Sequence, residues 1–100
     1  MSSSADRVVT IAVVAGSAVS FNSSLDENCV NQSIEWMHYS GLDTRQTPVK
    51  EDLARGWSVL NIPSASFTRD HGRFLCVVPR LRRRCQMNFQ LTVTGKFSKI

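Results

Sequence analysis

Short β-branched or aromatic runs recur along this chain, each bounded by Gly, Pro, Asn or Ser, while apolar spacing at 3.6 residues is scarce. That pattern restricts the chain to an all-β fold. Strands are predicted at Arg7 to Val14, Ala18 to Ser24, Ser33 to Tyr39, Trp57 to Ile62, Arg73 to Val78 and Gln86 to Thr94. Ser40-Gly41 closes the third run with a turn, and Pro79 ends the fifth because proline cannot donate to a ladder. The polar stretch Asp43 to Gly56 reads as loop, short strand or one helical turn. With 42% hydrophobic residues in a chain of 100, the runs fit one sandwich over residues 7–95, with flexible ends at 1–6 and 96–100.

No window approaches the roughly 18 apolar residues that a membrane-crossing helix needs, so membrane attachment would require a segment absent from this chain. The first twenty residues can be read as a leader, with Arg7 before an apolar stretch and small residues from Ala15 to Ser20. Their alternation and the turn at Gly16-Ser17 suit a strand pair better, and imply a fragment whose leader and tail have been removed. The net charge of +4 favours partners with acidic surface. Three cysteines leave one thiol over in an oxidising compartment, whereas all three would be reduced in the cytosol.

The densest pattern is Asp70-His71-Gly72-Arg73-Phe74-Leu75-Cys76, which matches Asp-x-Gly-x-Tyr-x-Cys with Phe in place of Tyr. It resembles the corner between strands E and F of immunoglobulin-superfamily domains. Trp36, forty residues before Cys76, stands where that family has its core tryptophan, and Leu60 and Ile62 match its E-strand pair. The segment Gly16 to Ser23 looks like strand B, with Ser23 where a cysteine usually stands. The resemblance implies an immunoglobulin-like two-sheet antiparallel Greek-key sandwich. Only about seventeen residues separate Tyr39 from Trp57, which leaves room for one C′ strand and indicates a small I-type or C2-type domain, or a short V-like one.

The departures from the family pattern carry consequences. Ser23 cannot form the usual B to F bridge, Phe74 lacks the corner hydroxyl, and one extra residue sits between Ile62 and Asp70. In the family the B to C and F to G loops share one end of the sandwich, so the resemblance makes a Cys29 to Cys85 disulfide plausible, with Cys76 a free thiol in the core against Trp36. A free Cys29, or a Cys29 to Cys76 pair, remains open at this level.

Arg80-Leu81-Arg82-Arg83-Arg84 puts four guanidinium groups on the expected F to G loop, where planar forks suit carboxylates, phosphates or sulfates. Against this stand a solvated hairpin tip without a partner, and a basic protease-cleavage pattern that a tight hairpin would resist. Met87 and Phe89 are expected to extend the sheet face formed by strands C, F and G, which is also a candidate homodimer contact. Asn22-Ser23-Ser24 and Asn31-Gln32-Ser33 are glycosylation sequons, Asn22 pointing outward from strand B and Asn31 on the B to C loop. Trp57 is either core or an exposed aromatic anchor, with core favoured.

His38 and His71 are expected at the surface, and no Cys or carboxylate cluster accompanies them at metal-ligand spacing. There is no nucleophile elbow and no phosphate loop, so neither catalysis nor a cofactor is indicated. Nucleic-acid binding lacks a helix-turn-helix, zinc or aromatic signature. The expected function is a non-catalytic protein-recognition module at the cell surface or outside the cell, from a receptor, adhesion or viral immune-modulating glycoprotein. Its partner would be another protein, with an acidic or sulfated surface. The alternative is a structural module of a cytosolic filament or scaffold.

Overall fold

A computed structural model describes residues 8–39 and 43–95. The expected turn at Ser40-Gly41 and the flexible ends lie outside the described residues. Among the described residues eight strands form two sheets: β1 Val8–Val14, β2 Val19–Ser24, β3 Glu35–Tyr39, β4 Asp43–Gln46, β5 Lys50–Asp52, β6 Trp57–Ile62, β7 Gly72–Val77 and β8 Gln86–Thr94, with a helical turn, α1, at Phe67–Asp70. One sheet has the order β1-β8-β7-β3-β4 and the other β2-β6-β5. The pairings are antiparallel except that β1 runs parallel to β8.

The segment of mixed reading resolves into β4 and β5, which are short, polar strands held by pairing to β3 and β6. The turn at Gly16-Ser17 does not join a strand pair: β1 and β2 belong to different sheets, and the turn carries the chain across. There the Gly16 N–H donates to Ala65 O at 2.8 Å.

Alternation fixes which side chains enter the sandwich. On β2, Val19, Phe21 and Ser23 are buried while Ser20, Asn22 and Ser24 are exposed. Phe21, Trp36, Phe74 and Phe89 form the aromatic centre, with Phe21 and Phe74 ring centroids 4.8 Å apart and Trp36 and Phe89 5.6 Å apart. Leu60, Ile62, Leu91 and Val93 complete this core. Trp36 Nε1–H donates to Ser58 Oγ at 2.8 Å, and Ser58 in turn donates to Glu51 Oε1 at 3.4 Å, so the buried indole N–H is satisfied.

Three side chains sit elsewhere than expected. Phe89 is buried in the core and Met87 packs against it half-buried, because β8 directs Met87, Phe89, Leu91 and Val93 to the same inner side. Neither extends the outer face. His38 is also interior, only 3% exposed, because it shares the inward side of β3 with Trp36. Its ring stacks on Phe74 at 4.1 Å, and Nε2–H donates to His71 O at 3.1 Å. His71 itself is half-buried, accepting the Val93 N–H at Nδ1 over 3.1 Å. Trp57 is half-buried at the start of β6.

The corner at the start of β7 depends on two residues of the sequence pattern. Gly72 has φ of 132°, which a side chain would strain. Asp70 is buried and accepts the Ser66 N–H at 2.8 Å and the Arg69 guanidinium at 2.8 Å, closing α1 in the space between Ile62 and the corner. Asp70→Ala should therefore cost about 2 kcal/mol by leaving the Ser66 N–H unpaired. Urea unfolding of the variant checks this, and a midpoint equal to the parent's would show that α1 adds nothing.

Candidate functional site

The chemistry concentrates at the end of the sandwich where the β2–β3 loop meets the β7–β8 hairpin. After β2, the Leu25 N–H donates to Gly56 O at 2.8 Å, and the chain makes a single helical turn over Glu27–Cys29. Gly56 has φ of 76°, and a Cβ there would stand 3.2 Å from Val30 Cγ1, so glycine lets the β5–β6 turn support this loop closely. Asn31 returns the chain in the left-handed region, with φ of 61° and its N–H donating to Leu53 O.

The hairpin is organised by its own backbone. Leu81 and Arg82 N–H groups both donate to Val78 O, at 2.9 and 2.8 Å, and the Val78 N–H donates to Cys85 O at 2.9 Å. A helical turn at Arg82–Arg84 follows. A disulfide joins Cys29 to Cys85 across a sequence separation of 56, with Cα atoms 5.8 Å apart. Leu25, Cys29, Val78 and Cys85 form a second small core, against which Ile34, Leu81 and Met87 pack. Leu81 thus faces inward and is the hairpin's anchor.

Arg80, Arg82, Arg83 and Arg84 remain exposed, and none makes a side-chain hydrogen bond or ion pair among the described residues. Four guanidinium groups thus stand on a cross-linked turn, in the planar form that suits bidentate contact with carboxylates, sulfates or phosphates. Two depressions of about 200 and 190 Å³ adjoin the turn. They share Asp26, Arg84 and Cys85, and the first also takes Val9, Leu25 and Met87 into its wall. Sequence reading missed both, since their walls come from segments far apart in the chain.

Other sequence candidates lie elsewhere. Asn22 is exposed on β2 and Asn31 is exposed on the β2–β3 loop. The outer face of the larger sheet carries half-buried Met37 and Leu75 in register with each other, beside exposed Tyr39 and Arg73. A broad depression of about 810 Å³ opens between β4 and α1, where the Arg69 guanidinium is already committed to Asp70. Among the described residues no His, Cys, Asp or Glu group could hold a metal ion.

Cys76 is the free cysteine and is fully buried, in register with Trp36 on β3. Burial pushes its thiol up from 9.0 to about 11, opposed in part by the Ser23 hydroxyl, which would donate to a thiolate. The folded value lies above the unfolded one, so this contribution to stability is complete below pH 9 and is lost as pH rises towards 11. At pH 8 the native protein should take up no alkylating reagent, and one equivalent after unfolding without reductant. Labelling of the native state, followed by mass, would contradict a buried Cys76.

The second immunoglobulin domain of the mouse polymeric immunoglobulin receptor superposes with a TM-score of 0.72, at 9% identity, over 91% of this chain and 100% of that one. The chain has an immunoglobulin fold. The same fold relates this immunoglobulin-like domain to the extracellular domain of the voltage-gated sodium channel beta4 subunit, a parallel homodimer (TM-score 0.65, 18% identity, 100% of this chain and 96% of that one). It also matches the I9-I11 tandem of titin (TM-score 0.61, 18% identity, 86% of this chain and 30% of that one). No protein-family model matches the sequence, and no curated protein matches it. The immunoglobulin-like domain therefore shares its architecture with both receptor and filament proteins.

Proposed function

We propose that this immunoglobulin-like domain is a non-catalytic recognition module of a secreted, cell-surface or viral immune-modulating glycoprotein. It engages an anionic protein or sulfated surface through Arg80, Arg82, Arg83 and Arg84. The observation that carries this reading is the Cys29–Cys85 disulfide beneath four exposed guanidinium groups without a partner among the described residues. Disulfides persist in oxidising compartments, and the exposed sequon residues Asn22 and Asn31 fit the same route. The test is the intact mass of protein secreted from a eukaryotic cell, before and after glycosidase treatment and with thiols alkylated without reductant. One alkylated thiol plus glycan mass is the expected result. Three alkylated thiols without glycan would overturn the extracellular reading.

A structural module in a cytosolic filament is the second reading, favoured by Ser23 beside Cys76, where an inter-sheet bridge is absent, and by the likeness to titin domains. A third contact mode, homodimerisation through the outer face around Met37 and Leu75, is supported by the exposure of Tyr39 beside that apolar pair.

A further inference from the structure

We infer that the disulfide end binds a polypeptide segment that seats one apolar side chain in the depression walled by Val9, Leu25, Cys85 and Met87, with carboxylates flanking it on the Arg80–Arg84 turn. This rests on the recognition reading above and deepens it, because it chooses a polypeptide over a sulfated polysaccharide.

Three observations point the same way. First, about 200 Å³ is the space of one large side chain, and its walls come from β1, the end of β2 and the start of β8; the disulfide ties the last two together and ladder pairing holds β1 to β8. Val9 is still 38% exposed, so part of this wall is apolar surface that a ligand would cover. Second, Arg84 lines this depression and its neighbour, and Arg80, Arg82 and Arg83 are exposed on the same turn without a side-chain partner among the described residues. Apolar anchor and ionic rim therefore stand side by side, the arrangement that concentrates affinity at protein interfaces. Third, Asp26 lines both depressions. Its carboxylate can accept a peptide N–H from the segment seated there. A polysulfate supplies rim charge and no anchor, whereas an acidic segment with one large apolar residue supplies both.

The test is an NMR titration of the oxidised protein, followed through the methionine methyl signals. Three probes are used: the peptide Asp-Glu-Phe-Glu-Asp, the same peptide with Ala replacing Phe, and a heparin-derived hexasaccharide. The Phe peptide should bind about tenfold more tightly than the Ala peptide, as the burial of an aromatic side chain implies, and should move the Met87 methyl while leaving Met37 in place. Val9→Asp, with its melting temperature checked against the parent, should abolish the difference between the peptides. Arg82→Glu/Arg83→Glu should weaken both peptides at least tenfold.

Equal affinity of the two peptides, or insensitivity to Val9→Asp, overturns the anchor, and if the hexasaccharide then binds and is lost in the charge-reversed variant, the anionic-surface reading survives alone. Failure of all three probes to bind overturns both. Movement of Met37 in place of Met87 overturns the site and transfers recognition to the outer sheet face.

Discussion

Cys29→Ser and Cys85→Ser are each expected to lower the free energy of unfolding by roughly 4 kcal/mol, the chain-entropy value for a closed loop of this length. In a domain of this size that corresponds to a fall of about 15–30 °C in melting temperature. The loss is large against the roughly 5–15 kcal/mol that holds such a domain together. Reductant should have the same effect on the parent protein and none on either variant, which separates the bridge from any damage done by serine itself. Coincident melting curves for reduced and oxidised parent would show that the disulfide adds no stability. The effect should be local as well as global, because Val78, Leu81 and Leu25 pack on the two cysteines. In the variants, amide exchange is expected to accelerate first across Val78 to Cys85, ahead of the β7–β8 ladder.

Ser23→Cys is expected to act in the opposite direction. Ser23 Oγ is buried without a hydrogen bond, and its nearest chemistry is the Cys76 thiol. A cysteine there would bridge the sheets with Cys76 across fifty-three residues of chain, and would add up to about 4 kcal/mol by the same entropic argument. Part of the gain would come from removing an unsatisfied hydroxyl, so Ser23→Ala is the control: it should be neutral or stabilise by about 1 kcal/mol. The bridge is read directly by mass after alkylation, as the disappearance of the one thiol released on unfolding. A doubly mutated chain, Ser23→Cys with Cys29→Ser, should recover most of the lost stability. If Ser23→Cys leaves both thiols free after oxidation, the two positions are not close enough to be joined.

Much of the architecture is legible in the sequence because a few residues have narrow structural uses. The Asp70 to Cys76 pattern needs a corner followed by an inward cysteine, and Trp36 lies at the spacing that lets β3 pair with β7 in register, Trp36 opposite Cys76. The orientation of Phe89 was legible too. Leu91 and Val93 mark the inner side of β8, and Phe89 shares their parity, which places it in the core and not on the binding face expected of it. The surface expectation for His38 fails on the same ground: two residues from Trp36 on one strand, it points inward with it. The strands β4 and β5 offered no such signal, being three or four polar residues that are strands only through their partners. The depression beside the disulfide was out of reach for another reason. Val9, Leu25 and Met87 are brought together by the packing of one sheet on the other, and pattern along the chain does not encode that distance.

The parallel pairing of β1 with β8 has a mechanical meaning. Val8 lies beside Asn88 and Val14 beside Thr94, so the first strand begins at the end of the sandwich opposite to the one where the last strand finishes. Tension across the two ends would load this pair along the strand direction, and its ladder bonds would share the force in shear instead of opening one after another. Once the pair slipped, the Cys29–Cys85 link would stop the extension early, since only chain outside that loop could be drawn out. The domain would act under load as a stiff, short-travel link.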